Sequence, residues 1–246
     1  MKSEYRYRMN HTVIYSETDA RGLLSLPSFF ALFQEAALLH AERLGFGETY
    51  CEREGRLWVL SRLLLEIDSL PSHREEILLE TWPKRPQGPF ANRDFQLIGS
   101  DGQIHARATS MWLLLDSSTM RPVRPQSVFA DFPFDELGEV IAGTAPKVSA
   151  DGEGRESELN VTVRYSDLDQ NNHVNNTRYV RWFLDCYTPE EILNTRSFKF
   201  LISYQRAAEF NDSIRLLRHD WSGSSTVRGY FEDGSESFAA RIWLED

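Results

Sequence analysis

Cysteine is nearly absent, with only Cys51 and Cys186 in 246 residues, which is too few for a disulfide framework. No cysteine or histidine spacing forms a metal knuckle, and His11, His40, His73, His105 and His219 show no ligand spacing to one another. No metal and no cofactor are therefore assigned. Positive charge is also scarce. With 27 Lys and Arg against 37 Asp and Glu, the net charge is −10, which argues against a general nucleic-acid binder, since such a protein needs a basic face to displace counterions from phosphate. No apolar run approaches the ~18 residues that span a bilayer. The opening MKSEYRYRMNHTVIYSETD has no continuous apolar core, so neither a secretory signal nor a membrane anchor is expected there. These absences lead to the expectation of a soluble, cytoplasmic protein in a reducing compartment, with no nucleic-acid or membrane partner. Apolar content of 41% is enough for substantial cores.

What is present centres on YSDLDQNNHVNNTRYVRWFLDCY, from Tyr165 to Tyr187, where a polar, ionisable segment turns directly into a helix-periodic one. Asp169, Asn171 and His173 alternate at every second position, so in an extended loop a carboxylate, an amide and an imidazole share one side. From Val174 on, Val180, Phe183, Leu184 and Tyr187 have the spacing of a helix with one buried face. Asn175 or Asn176 is placed to cap it.

An earlier copy, YSETDARGLLSLPSFFALFQEA, aligns without a gap 150 residues before, so that Tyr15, Ser16, Asp19 and Phe33 match Tyr165, Ser166, Asp169 and Phe183. Arg21 stands against Asn171 and Leu23 against His173; only the aspartate of the trio is kept. A duplicated and then specialised fold is the simplest physical account.

The rest of the chain fits two copies. A strand over 5–15, a helix over 27–44 and strands over 57–68, 75–83, 90–98 and 105–115 precede a strand over 159–165, a helix over 176–187 and strands over 198–206, 214–221, 225–231 and 238–244. Ile77 pairs with Ile214 at an offset of 137 and Trp112 with Trp243 at 131, which puts deletions in the second copy's loops. The expected domains are 1–125 and 158–246, joined by a crossover over 126–157 that carries the apolar stretch VFADFPFDELGEVI and packs on them. The class is α+β. A long helix held against an antiparallel sheet, twice, is the tandem double hot dog, two sheets each wrapping a central helix.

The segment DLDQNNHVNNTRYVRWFLD resembles the signature of the acyl-acyl carrier protein thioesterases, and TDARGLLSLPSFFALFQEAA, WVLSRLLLEID and ARATSMWLLLDSSTMRPVRP extend the likeness over nearly the whole chain. HVNN alone is also similar to single-domain hot dog acyl-CoA thioesterases. The resemblance implies hydrolysis of a fatty acyl thioester of acyl carrier protein to free acid and carrier thiol, without metal or cofactor. By motif match it places catalytic roles on Asp169, Asn171 and His173. Those types suit the chemistry: a base near neutrality for water, and donors for the developing oxyanion. Backbone N–H groups at the start of the following helix are a further oxyanion candidate.

One departure from the pattern stands out in SYQRAAEFNDSI, where Ala207 occupies the position of the family's catalytic glutamate and Ala208 that of its neighbouring cysteine. Three readings remain open: His173 and Asp169 handle water alone, Glu209 substitutes, or activity is weak. Glu209 shares the facing of Ala207 if the strand continues regularly. Cys186 reads as a small core residue beside Phe183 and Tyr187. Phe29, Phe30 and Phe33 read as core first and acyl-tunnel lining second. Arg178, Arg181, Lys199 and Arg206 offer a local positive face for an acidic carrier. The alternatives to a carrier-protein hydrolase are an acyl-CoA thioesterase and a non-catalytic acyl- or carrier-binding module. Both a monomer and a homodimer agree with the sequence, since two copies in one chain already supply the pairing.

Overall fold

The computed structural model describes residues 5–129, 132–149, 155–193, 195, 197–221 and 223–244. The first half runs β1 (Tyr7–Thr12), α1 (Leu26–Arg43), α2 (Glu48–Glu54), β2 (Arg56–Ile67), β3 (Glu76–Gln87), β4 (Phe90–Gly99), β5 (Ile104–Asp116) and the short β6 (Pro122–Val123). The second runs β7 (Arg155–Thr162), α3 (Asn176–Asp185), α4 (Pro189–Leu193), β8 (Phe198–Tyr204), β9 (Ser213–Trp221), β10 (Ser224–Tyr230) and β11 (Glu236–Leu244).

The strands form one antiparallel sheet in the order β1-β3-β4-β5-β2-β8-β11-β10-β9-β7, with β6 beside β5. The halves meet where β2 pairs with β8, from Arg62 opposite Ser203 to Ile67 opposite Phe198. Each half is thus a sheet around a helix, and together they make the double hot dog. Among the described residues, no helix is long and apolar enough to cross a membrane.

Pro27 in the first turn pre-sets the helical φ of α1, and Phe29, Phe30, Phe33, Ala36, Ala37 and His40 form its buried face. α3 buries Tyr179, Val180, Trp182 and Phe183. Both helices converge on Phe200 of β8, whose ring centroid lies 5.8 Å from that of Phe30 and 5.0 Å from that of Phe183. Phe33 stacks on Phe95 at 4.7 Å. The expected first role of Phe29, Phe30 and Phe33 is met, since each is at most 3% exposed. A single apolar core therefore crosses the boundary between the halves. Each buried phenylalanine contributes roughly 1.5–3 kcal/mol.

The opposite face of the sheet is covered by the crossover. Ile141, Ala145 and Val148 pack on Leu64, Met111, Leu201 and Ala239. Polar groups fasten it as well: Lys84 Nζ donates to the carbonyls of Ile141 and Gly143 at 2.8 and 2.6 Å, and Asp94 Oδ2 accepts from Val140 N at 2.8 Å. Phe129 and Phe134 join the aromatic cluster around Phe46. Residues 130 and 131 of the apolar stretch lie outside the described residues.

Two details differ from the sequence reading. Trp112 packs on the helix side with the main core, whereas Trp243 lies on the crossover side. Strand register equates Trp243, opposite Lys199, with Met111, opposite Arg62. Ala106 and Ala108 face the main core with Trp112, as Phe238 and Ala240 do in β11, so the two strands correspond at an offset of 132 rather than 131. The short helix α2, absent from that reading, follows the Gly45–Gly47 break and ends on Gly55 at φ 61°, a left-handed cap that glycine accepts without strain.

Candidate active site

The loop from Leu168 to Val174 is a tight hairpin rather than an extended strand. Leu168 and Val174 bridge, Asp169 N donates to His173 O at 2.9 Å, and Asn172 N donates to Asp169 O at 3.0 Å with Asn172 at φ 59°. Asp169 and His173 therefore face each other as a backbone pair with Asn171 at the exposed tip, so the trio does not project by strand alternation. The Asp169 carboxylate is engaged locally: Oδ1 accepts from Asn171 N at 2.8 Å, the Asx geometry that closes such turns.

The first copy has the same skeleton. Asp19 N donates to Leu23 O at 2.8 Å, Gly22 N to Asp19 O at 2.9 Å and Arg21 N to Asp19 Oδ1 at 2.8 Å. Retention of the aspartate in both copies thus has a shared structural cause, the closing of the turn. What differs is the tip and the flank, where Arg21 and Leu23 replace Asn171 and His173. Arg21 pairs with Asp19 at 2.6 Å and donates to the carbonyls of Leu193 and Thr195 in the other half.

The segment after β8 carries the next contribution. β8 ends at Tyr204, so Ala207 and Glu209 lie in a loop rather than in a continuing strand. Local alternation survives there, with Ala207 and Glu209 exposed and Ala208 fully buried. Val174 N donates to Ala208 O at 2.9 Å, which seats this loop against the hairpin. His173 Nε2 then lies 4.0 Å from Glu209 Oε1, with both side chains substantially exposed, a separation that one shared water spans. Tyr165, Leu168, Asn172, Glu209 and Phe210 line the adjoining groove, and Tyr165 and Phe210 are exposed aromatics at its rim. Phe210 was not singled out in the sequence, and Tyr165 only as a mark of the repeat; the signal for Phe210 was its place beside Glu209.

Asn175 caps α3, its Oδ1 accepting from Thr177 N at 3.0 Å and from Thr177 Oγ1 at 2.8 Å. Arg178 N donates to Asn175 O at 2.9 Å. The cap therefore consumes two of the helix-start donors proposed for an oxyanion. The expected positive face is mostly paired: Arg178 meets Asp167 at 3.2 Å, Lys199 meets Glu66 at 2.9 Å and Arg206 meets Asp233 at 2.8 Å. Arg178 and Arg181 do border a groove between the helices, with Gln34, Glu35 and Ser166 on its other walls. Burial pushes the Cys186 thiol up to about 12, and its Sγ–H donates to Trp182 O at 3.4 Å, so it is a structural residue. Among the described residues, no group of three or more His, Cys, Asp and Glu side chains is placed to hold a metal ion.

A double hot dog with a polar hairpin in one half is the architecture of a thioesterase fold. The family model described as the acyl-ACP thioesterase N-terminal domain matches residues 4–131, and that of the C-terminal domain matches 151–240. The chain belongs to the acyl-ACP thioesterase family. It is 27% identical over 236 residues to the chloroplastic oleoyl-acyl carrier protein thioesterase 2 of Arabidopsis thaliana, covering 88% of this chain and 64% of the relative. To the chloroplastic palmitoyl-acyl carrier protein thioesterase of Gossypium hirsutum it is 28% identical over 233 residues, covering 89% and 56%. The chain thus spans about half to two thirds of the length of these curated relatives. An acyl-ACP thioesterase from Bacteroides thetaiotaomicron VPI-5482 superposes with a TM-score of 0.87 over all of both chains at 24% identity. The 12:0-ACP thioesterase from Umbellularia californica gives 0.82 over 98% and 97% at 23% identity, and both likenesses are of fold.

Proposed function

We propose that the protein hydrolyses fatty acyl-acyl carrier protein to free fatty acid and carrier thiol at the hairpin of its second half. The observation that carries this reading is the approach of Glu209 to His173, 4.0 Å apart, beside the one hairpin that bears Asn171 and His173. The family of the chain supports the substrate class. In this mechanism His173 and Glu209 hold one water and take its proton as oxygen adds to the thioester carbonyl. The tetrahedral intermediate then expels the carrier sulfur, which receives that proton, and the carbon–sulfur bond breaks as the acid forms. Asn171, at the hairpin tip, donates to the developing oxyanion. Asp169 acts on the loop rather than on substrate, holding the turn that places its neighbours.

Of the three sequence readings for the missing family glutamate, we favour substitution by Glu209, because it reaches His173 from two positions past Ala207. We divide the chain into working halves at 1–125 and 158–246, on the pairing of β2 with β8 as the seam. Thiol release from matched acyl chains on carrier protein and on coenzyme A tests the substrate. Higher kcat/KM on the carrier thioester is expected; a preference for the coenzyme A thioester supports an acyl-CoA thioesterase, and binding without release supports a non-catalytic module.

A further inference from the structure

Tyr179 of α3 is 2% exposed, and its hydroxyl accepts a hydrogen bond from Ala208 N at 2.9 Å. Ala208 is the residue between Ala207 and Glu209, so this bond fixes the loop that carries Glu209 from the inside. The matching positions in the first half are Phe29 and Pro71. Phe29 stands 150 residues before Tyr179, in the same register as Asp19 and Asp169. Pro71 is identified by its backbone partner: Leu24 N donates to Pro71 O at 2.7 Å, as Val174 N donates to Ala208 O at 2.9 Å. Phenylalanine has no hydroxyl and proline has no N–H. The acceptor and the donor are thus both present in the half that bears His173 and both absent in the half that bears Leu23.

The two loops are otherwise alike. Asn211 and Arg74 both have φ 70°, Asp212 N donates to Glu209 O as Glu75 N does to Ser72 O at 3.1 Å each, and Val163 N and Val13 N donate to Asp212 O and Glu75 O. The fold therefore builds this loop without the tyrosine. A buried hydroxyl is costly unless paired, and here it is kept only where Glu209 stands.

We infer that Tyr179 is a positioning residue for the proposed hydrolysis, tethering Ala208 N–H so that Glu209 is held beside His173. The inference rests on Glu209 acting as proposed above. Because a small misplacement of a reacting group costs about tenfold to a hundredfold in rate, removal of the tether is expected to appear in kcat.

The test is a double-mutant cycle on acyl-acyl carrier protein, with Tyr179→Phe, Glu209→Gln and the pair. Tyr179→Phe is expected to lower kcat about tenfold or more with KM changed less than about twofold, and to add nothing in the Glu209→Gln background. A wild-type kcat in folded Tyr179→Phe, or losses that multiply in the pair, overturns the inference. If Glu209→Gln alone turns over at the wild-type rate, the role of Glu209 fails first, which separates the two failures. Tyr179→Phe/Ala208→Pro, which copies the first half, guards against simple misfolding. It is expected to recover Tm while kcat stays low; recovery of both shows that the tyrosine only satisfies an N–H and overturns positioning.

Discussion

Arg21 closes the first hairpin on itself and on the opposite half: its guanidinium pairs with Asp19 at 2.6 Å and donates to the carbonyls of Leu193, at the end of α4, and Thr195, just beyond it. Its counterpart on the second hairpin makes no such clamp, because Asn171 is exposed at the tip. One hairpin of the pair is a fastener, and the other carries the proposed site.

Arg21→Ala is accordingly expected to loosen α4 without touching the chemistry. Loss of charge-assisted bonds to two carbonyls and a carboxylate costs about 1.5–3 kcal/mol. Denaturant midpoints should fall and amide exchange should rise in residues 189–193, with kcat within about twofold of wild type. Unchanged exchange there would show that Arg21 does not hold α4.

Lys84 and Asp94 lie 3.3 Å apart with side chains 4% and 0% exposed, beneath the crossover. Burial raises the Asp94 carboxyl while Lys84 opposes that shift. Lys84→Met removes one buried partner and two bonds to the crossover, an expected cost of about 3–5 kcal/mol. Lys84→Met/Asp94→Asn removes the stranded charge and should recover part of it. Limited proteolysis between residues 132 and 149 reads the same effect; a single variant within about 1 kcal/mol of wild type would contradict it.

His40, packed at 1% exposure with its Nδ1 3.0 Å from Arg93 Nη1, should make the protein acid-sensitive. Burial first, then Arg93 and Arg43, hold its pKa at about 3 against an ordinary 6.5. The depressed folded value means that the unfolded chain binds the extra proton. The contribution is full above pH 6.5 and is lost as pH falls towards 3. Urea melts through that window should show a steeper loss in wild type than in His40→Gln. Equal slopes would contradict the assignment.

Much of the architecture was legible because the two halves repeat the same order of elements. The offset of 150 residues predicted two like loops, and the matched bonds of Asp19 and Asp169 show why that aspartate persisted. Alternation of Asp169, Asn171 and His173 misled, since periodicity cannot report a residue such as Asn172 turning to positive φ. The match of Trp112 to Trp243 failed because two like residues one position out of register lie on opposite faces of a strand. The seven residues of α2 are too few to show a period. The place of Glu209 depended on where β8 ends, and its approach to His173 required the fold.

The most direct test is single-turnover thiol release from acyl-acyl carrier protein by wild type, His173→Ala and Glu209→Gln, each checked for folding by its melting curve. Both side chains are partly exposed, so neither substitution should disturb the core. The account predicts loss of most turnover in His173→Ala and a fall of about tenfold to a hundredfold in Glu209→Gln, general-base losses being of that order or larger. Near-normal release by folded His173→Ala would contradict it.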